Sequence, residues 1–156
     1  METYTTDTEE YEEELRSALV CEDDAALKSA ISVVLQRLKY SIEFAADAED
    51  GLKKLKFNQY GLIILNERFG GAAPETNLTY KFLQAMPMST RRHIFLVFTG
   101  RDFKTGDNMT AFAKSANMVV NEKDLPDLGT VLKKSIADND TFYKVFRESL
   151  LKMGKM

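Results

Sequence analysis

The sequence predicts an α/β fold, a three-layer sandwich in which helices cover both faces of a five-stranded parallel sheet. Three observations lead to it. Leu62 to Leu65 form an unbroken run of apolar β-formers closed by the polar Asn66 and soon after by Gly70 and Gly71, as befits a central strand buried on both faces. A second such run, His93 to Phe98, ends on Thr99 and Gly100. Apolar runs alternate five times with helical periodicities along the chain, and that alternation demands right-handed crossovers and a parallel sheet.

The first strand is Ser17 to Cys21, ending on three acids, Glu22, Asp23 and Asp24. Leu27, Ile31, Val34, Leu35 and Leu38 then recur at helical spacing over Ala25 to Leu38, with Asp24 available as N-cap. Tyr40 to Ala45 alternates and reads as a second strand. A helix starting near Asp47 follows, marked by Leu52, Leu55 and Phe57. Beyond the central strand, Phe69 to Asn77 is rich in Gly, Ala and Pro and reads as a mobile loop of more than usual length. Tyr80, Phe82, Leu83 and Met86 mark the next helix, and after the fourth strand Met109, Phe112 and Ala113 mark a short one. Met118 to Val120 is the fifth strand. Leu125 to Met153 is helical, with Asp138, Asn139 and Asp140 as the point where it would divide in two.

Length and composition set the limits. The 156 residues, 44% of them hydrophobic, suit one domain with a real core. Residues 1–15 hold seven acids and no base, so this tail carries −7 and the rest of the chain +4 of the formal net −3; such a tail is expected to be disordered. The organisation expected is an acidic tail over 1–15, a domain over 16–137 and a helical extension over 138–156. Neither nucleic acid nor a membrane is an expected partner, because both need a clustered positive surface. Arg91, Arg92 and His93 form a small basic cluster that reads as a solvated loop. Cys21 is the single cysteine and nothing resembles a signal segment or a spanning helix, which points to a reducing, cytoplasmic setting. With His93 the single histidine, zinc sites built on His and Cys pairs are excluded within the chain, as is a Ser-His-Asp or Cys-His arrangement unless His93 and Cys21 themselves meet. Cys21 itself reads as a small buried hydrophobe.

A doubly wound sheet brings the acids after strand one, the residue ending strand three and the threonine ending strand four to one crevice. The three segments that meet there, VCEDDAALKSAI, YGLIILNERF and IFLVFTG, resemble the receiver domains of bacterial two-component response regulators over about residues 16–137. The resemblance implies a flavodoxin-like sheet in which paired acids hold Mg²⁺ and a strand-three aspartate accepts a phosphoryl group from a histidine kinase. Carried over by position, Glu22 and Asp23 are the metal acids, Asn66 stands at the phosphoacceptor position and Thr99 at that of the switch hydroxyl. An amide is not a nucleophile for phosphorus, so Asn66 is not expected to be phosphorylated. Where the family has a lysine after strand five, this chain has Asn121 and Glu122, with Lys123 late, and Met118 or Val119 replaces the aromatic switch residue. Replacing one of three acids by an amide removes one charge, worth roughly 4 kcal/mol at ~4 Å and an effective dielectric of about 20. Weak or no Mg²⁺ binding is therefore expected, and no other cofactor. Arg68 or Lys123 is expected to fold over Glu22 and Asp23 and supply the missing positive charge. The blander reading leaves the two acids as helix caps and Thr99 as a turn former.

These residues suggest a pseudo-receiver that is not an enzyme and works by recognising an unidentified protein. The face Met109 to Lys134 is one candidate surface for that partner. The C-terminal helix, with Phe142, Tyr143, Phe146, Leu150 and Met153, is another. Packing of that helix on its own domain, and hence a monomer, is favoured over a dimer. The alternative is a receiver still switched by a histidine kinase at a substitute acid, Glu67 being nearest, although successive residues of a regular strand face opposite sides. A nucleotide-binding protein fits least, because Glu22, Asp23 and Asp24 would repel phosphate and no glycine-rich loop follows strand one.

Overall fold

The structure is a computed structural model, and it describes residues 16–154; the acidic tail lies outside the described residues. Five strands, β1 (Ser17–Cys21), β2 (Ser41–Phe44), β3 (Leu62–Asn66), β4 (Phe95–Gly100) and β5 (Met118–Asn121), form one sheet in the order β2-β1-β3-β4-β5. All four pairings are parallel. The helices are α1 (Ala25–Arg37), α2 (Ala48–Phe57), α3 (Leu78–Ala85), a short α4 (Met88–Arg91), α5 (Asn108–Ala113) and α6 (Leu128–Lys152).

Two apolar layers sandwich the sheet. Ala18, Val20, Leu62, Ile64, Val97 and Val120 pack against Ile31, Val34 and Leu35 of α1 and Leu128 and Leu132 of α6. The intervening residues Leu19, Cys21, Ile63, Leu65 and Phe98 pack against Leu55 of α2, Tyr80 and Leu83 of α3 and Ala111 of α5. The period-two division of each strand between the layers is why the central strands read as continuous apolar runs. Asp24 and Asp47 cap α1 and α2 through bonds from Leu27 N–H (3.0 Å) and Asp50 N–H (2.7 Å).

Several segments differ from expectation. Phe69 to Asn77 is built from two 3₁₀ turns, Phe69–Gly71 and Pro74–Thr76, with Phe69 1% exposed; it is anchored rather than mobile. The last helix is preceded by a 3₁₀ segment, Glu122–Asp127, where Pro126 lacks the N–H that an α-helix would use. From Leu128 it runs 25 residues without a break at Asp138, Asn139 and Asp140, whose modest propensity cost is spread over many turns. Its residues Val145, Phe146 and Met153 are 56%, 42% and 63% exposed, so these apolar side chains stand outside the core rather than within it as expected. Arg91 is no solvated cation either: its guanidinium donates to Ile94 O (2.6 Å), Ser115 O (2.9 Å) and Asn117 Oδ1 (3.2 Å), tying the start of β4 to the turn before β5. No helix among the described residues is long and apolar enough to cross a membrane.

Candidate functional site

In the order β2-β1-β3, the chain reverses direction across the sheet between β1 and β3, and the carboxyl ends of those strands bound a crevice. Asn66 closes β3 there, beside Thr99 of β4 with which it is in register. Glu22 follows directly on β1 and Glu122 on β5.

The Asn66 amide organises the crevice. Its Nδ2 donates to Glu22 Oε1 and to Glu122 Oε1, both at 2.8 Å, while its Oδ1 accepts from the Arg68 backbone N–H at 2.9 Å. The Arg68 bond fixes which end of the amide is which: the donor end must face the two carboxylates. Glu22 is further held by Oε2, which accepts from Asp23 N–H (2.8 Å) and Asp24 N–H (3.1 Å). Asn66 and Glu22 are each 4% exposed. Asp23 is exposed and accepts from Gly70 N–H at 2.9 Å. Gly70 has φ +79°, and a Cβ there would meet Ala48 Cβ at 3.1 Å, so this strap between the β1 acids and the loop after β3 needs glycine.

Burial raises the Glu22 pKa above the ordinary carboxylate value; the bonds from Asn66 and from the Asp24 and Asp23 amides oppose this, and the Glu122 charge adds to it. Glu122 extends the chain of polar contacts outward, its Oε2 lying 3.7 Å from Arg101 Nε. Thr99 is fully buried, and its hydroxyl has no hydrogen-bond partner among the described residues.

The site residues anticipated from the sequence divide accordingly. Glu22 and Asn66 meet, and Thr99 lies in the adjacent strand at the same level. Arg68 and Lys123 are not pocket cations: both side chains are exposed, and neither forms an ion pair among the described residues. The physical reason is that the donor amide already answers Glu22, so no cation is needed against it. Glu67 sits on the opposite face of the sheet from Asn66, 6% exposed, its carboxyl where a Cβ on Gly100 would fall (2.8 Å). Burial raises its pKa, and the nearby Arg68 and Lys114 charges oppose the rise. His93 is exposed at the amino end of β4 and Cys21 is buried at the carboxyl end of β1, so the two do not meet.

Two contributors were missed. Glu122 enters the sequence reading only as one of two residues, with Asn121, that stand where the family has its lysine. Asn77, 1% exposed, caps α3 by accepting from Tyr80 N–H (3.1 Å) and donates from Nδ2 to the backbone carbonyls of Asn66 and Glu67, both at 3.1 Å. An Asn directly before an apolar helical run is an N-cap signal and could have flagged it.

Cys21 has a consequence of its own. Burial, helped by the Asp50 and Asp23 charges, pushes its thiol up to about 12. At pH 8 it is neutral and inaccessible, and the expected rate of labelling by a dithiobenzoate reagent is that of unfolding, at least ~100-fold below a free cysteine. Fast stoichiometric labelling of the folded protein would contradict the buried placement.

No family model and no curated protein matches this sequence. Solved structures do. The chain is similar to a CheY-like response regulator receiver domain protein from Methanospirillum hungatei JF-1 (TM-score 0.61, 16% identity, 80% of this chain and 96% of that one). It is similar to the signal receiver domain of a putative LuxO repressor protein from Vibrio parahaemolyticus (0.63, 13%, 83% and 95%). A putative response regulator from Chloroflexus aurantiacus J-10-fl gives 0.61, 19%, 78% and 97%. With the sheet order, the parallel crossovers and the crevice at the β1/β3 reversal, these likenesses give this chain the CheY-like, flavodoxin-like fold of the response regulator receiver domain.

Proposed function

We propose that this chain is a receiver-like signalling or scaffolding module of a two-component-type pathway that works by protein–protein interaction and without phosphorylation. One observation carries the reading: the residue at the phosphoacceptor position is an amide whose Nδ2 is bound to Glu22 on one side and Glu122 on the other. In the resemblance, a strand-three carboxylate faces a lysine that follows strand five. Here the donor sits on β3 and the acceptor after β5, so the link across the crevice is kept with its polarity reversed.

The same donor set does not suit Mg²⁺. The ion asks for oxygen ligands, and the group facing the two carboxylates is an N–H donor, the Asn66 oxygen being turned to Arg68 N–H. The module is therefore proposed to work without a metal and without catalytic activity. Glu67 does not substitute as acceptor, since it lies across the sheet from Glu22. The proposed partner surface is α5 with β5 and the first turns of α6, within Met109 to Lys134, where Met109 and Phe112 are 77% and 84% exposed. Two large apolar groups exposed to that degree on a six-residue helix suit an interface better than a solvated surface.

The test is incubation with acetyl phosphate and Mg²⁺ followed by intact mass, with amide NMR on adding beryllofluoride. The expected result is an unchanged mass and unshifted Asn66 and Thr99 resonances. A stoichiometric phosphoryl adduct would overturn the reading.

A further inference from the structure

The two ends of the sheet carry opposite charge. The connections that leave the strands (22–24, 45–47, 67–77, 101–107 and 122–127) hold eleven acids against four bases. Those that enter the strands (37–40, 56–61, 86–94 and 114–117) hold Arg37, Lys39, Lys56, Arg91, Arg92 and Lys114 and no Asp or Glu. A cavity of about 410 Å³ lies at this basic end, between the last turn of α2 and the α3–α4 connection. Leu55, Tyr60, Met86 and Ile94 give it an apolar wall, and Lys56 and Ser89 stand among its polar groups. The Tyr60 hydroxyl donates to Glu43, so what Tyr60 offers an occupant is its ring.

We infer that residues 9–14 of this chain lie across the basic end of its own domain, with Tyr11 seated in the cavity. Connectivity, reach and charge select this occupant. The acidic segment joins the domain at Arg16, directly before β1. Ser17 O accepts from Gly61 N–H (3.0 Å), the residue after Tyr60, and Gly61 O accepts from Phe95 N–H (2.9 Å), the residue after Ile94. The start of β1 is thus two strand spacings, about 10 Å, from the start of β4 and the cavity wall there. Five residues of chain span at most ~17 Å, so Tyr11 can reach that wall from Arg16. Residues 9–14 read EEYEEE, five carboxylates around one aromatic ring. The carboxylates match the bases of the entering connections, and the ring matches the apolar wall. The acidic end of the sheet repels the same segment. On the α6 side an acid already stands beside Arg16, since Asp140 raises and Arg16 lowers the Tyr40 pKa. Charge therefore directs the segment toward α2 and α4. A tether this short holds the ring at an effective concentration on the order of millimolar, so modest contacts suffice. This inference is independent of the proposed function and uses no residue of the Asn66 crevice.

NMR of the full chain with labelled Leu, Ile and Met methyl groups tests it. The expected result is a set of NOEs from the Tyr11 ring to the methyls of Leu55, Met86 and Ile94. Tyr11→Ser should shift those methyl resonances and leave the rest of the core in place, whereas Tyr4→Ser should leave them unmoved. Both substitutions fall before Arg16 and alter none of the five strands or six helices. About 0.5 M NaCl, which screens exposed charges, should move the same resonances toward their Tyr11→Ser positions. A sample mixing labelled and unlabelled copies separates a contact within one chain from one between two. Cavity methyls indifferent to Tyr11→Ser or to salt, shifts that follow Tyr4→Ser instead, Tyr11 NOEs to another surface, or NOEs that cross between copies would each overturn the inference.

Discussion

Asn66→Asp is expected to destabilise the domain by about 3–5 kcal/mol at neutral pH, the usual cost of leaving a buried charge uncompensated. The change alters one group, from amide to carboxylate, and so removes two charge-assisted hydrogen bonds at 2.8 Å while setting a third carboxylate between Glu22 and Glu122. Glu122 is 20% exposed, and solvent screening there keeps the cost from rising further. The introduced carboxyl should have a folded-state pKa above its unfolded value, because burial and two like charges disfavour its charged form. Its penalty is therefore small below the unfolded value of about 3.9 and grows as pH rises through the window up to the folded value. Urea unfolding at pH 4 and pH 7 should show the deficit mainly at pH 7. Asn66→Asp with Glu122→Lys should recover most of the loss, with a coupling energy above about 1 kcal/mol in the double-mutant cycle. Equal stability of the single variant and the parent at pH 7 would refute the bridging role of the Asn66 amide between Glu22 and Glu122.

Asn77→Ala is expected to cost about 3 kcal/mol. An N-cap contributes ~1 kcal/mol, and each buried carbonyl stripped of a donor costs roughly 1–3. Asn77 does both jobs, capping α3 and holding the carbonyls of Asn66 and Glu67 at the end of β3. Asn77→Asp separates them. It keeps the acceptor for Tyr80 N–H but turns an oxygen on two carbonyl oxygens, so at neutral pH it should lose at least as much as the alanine variant. Hydrogen exchange should quicken at Glu67, whose N–H is bonded to Thr99 O at 2.9 Å, before it quickens elsewhere in β3. An Asn77→Asp protein as stable as the parent would show that only the cap matters.

The strands and the meeting of Glu22, Asn66 and Thr99 were legible in the sequence because they depend on apolar runs and on the strand ends of a doubly wound sheet. The fate of the charges was not. Charge balance asks for a cation beside Glu22, whereas a hydrogen bond from a neutral amide meets the need. Which of Glu122 and Lys123 enters the crevice is decided by Asn121: its Oδ1 accepts from Lys123 N–H and its Nδ2 donates to the carbonyls of Arg101 and Phe103. These bonds fix the turn after β5 and leave Lys123 outside, a geometry with no periodic signature. The loop after β3 read as mobile because its Gly, Ala and Pro content was visible, while the burial of Phe69 and Asn77 is a tertiary fact. The unbroken α6 shows the limit of local propensity, since three weak helix formers do not stop a helix anchored by Leu128 and Leu132.

The link between Asn66 and Glu122 also makes the two positions interdependent. Placing an aspartate at 66 and a lysine at 122 one substitution at a time passes through either three carboxylates in one crevice or a lysine facing an amide that has no negative charge to offer it. With ~5–15 kcal/mol of total stability in an ordinary domain, the first of these intermediates gives up a large share of its capacity to fold. Charge at the mouth of the crevice can therefore be rewritten at both positions together far more readily than at either alone.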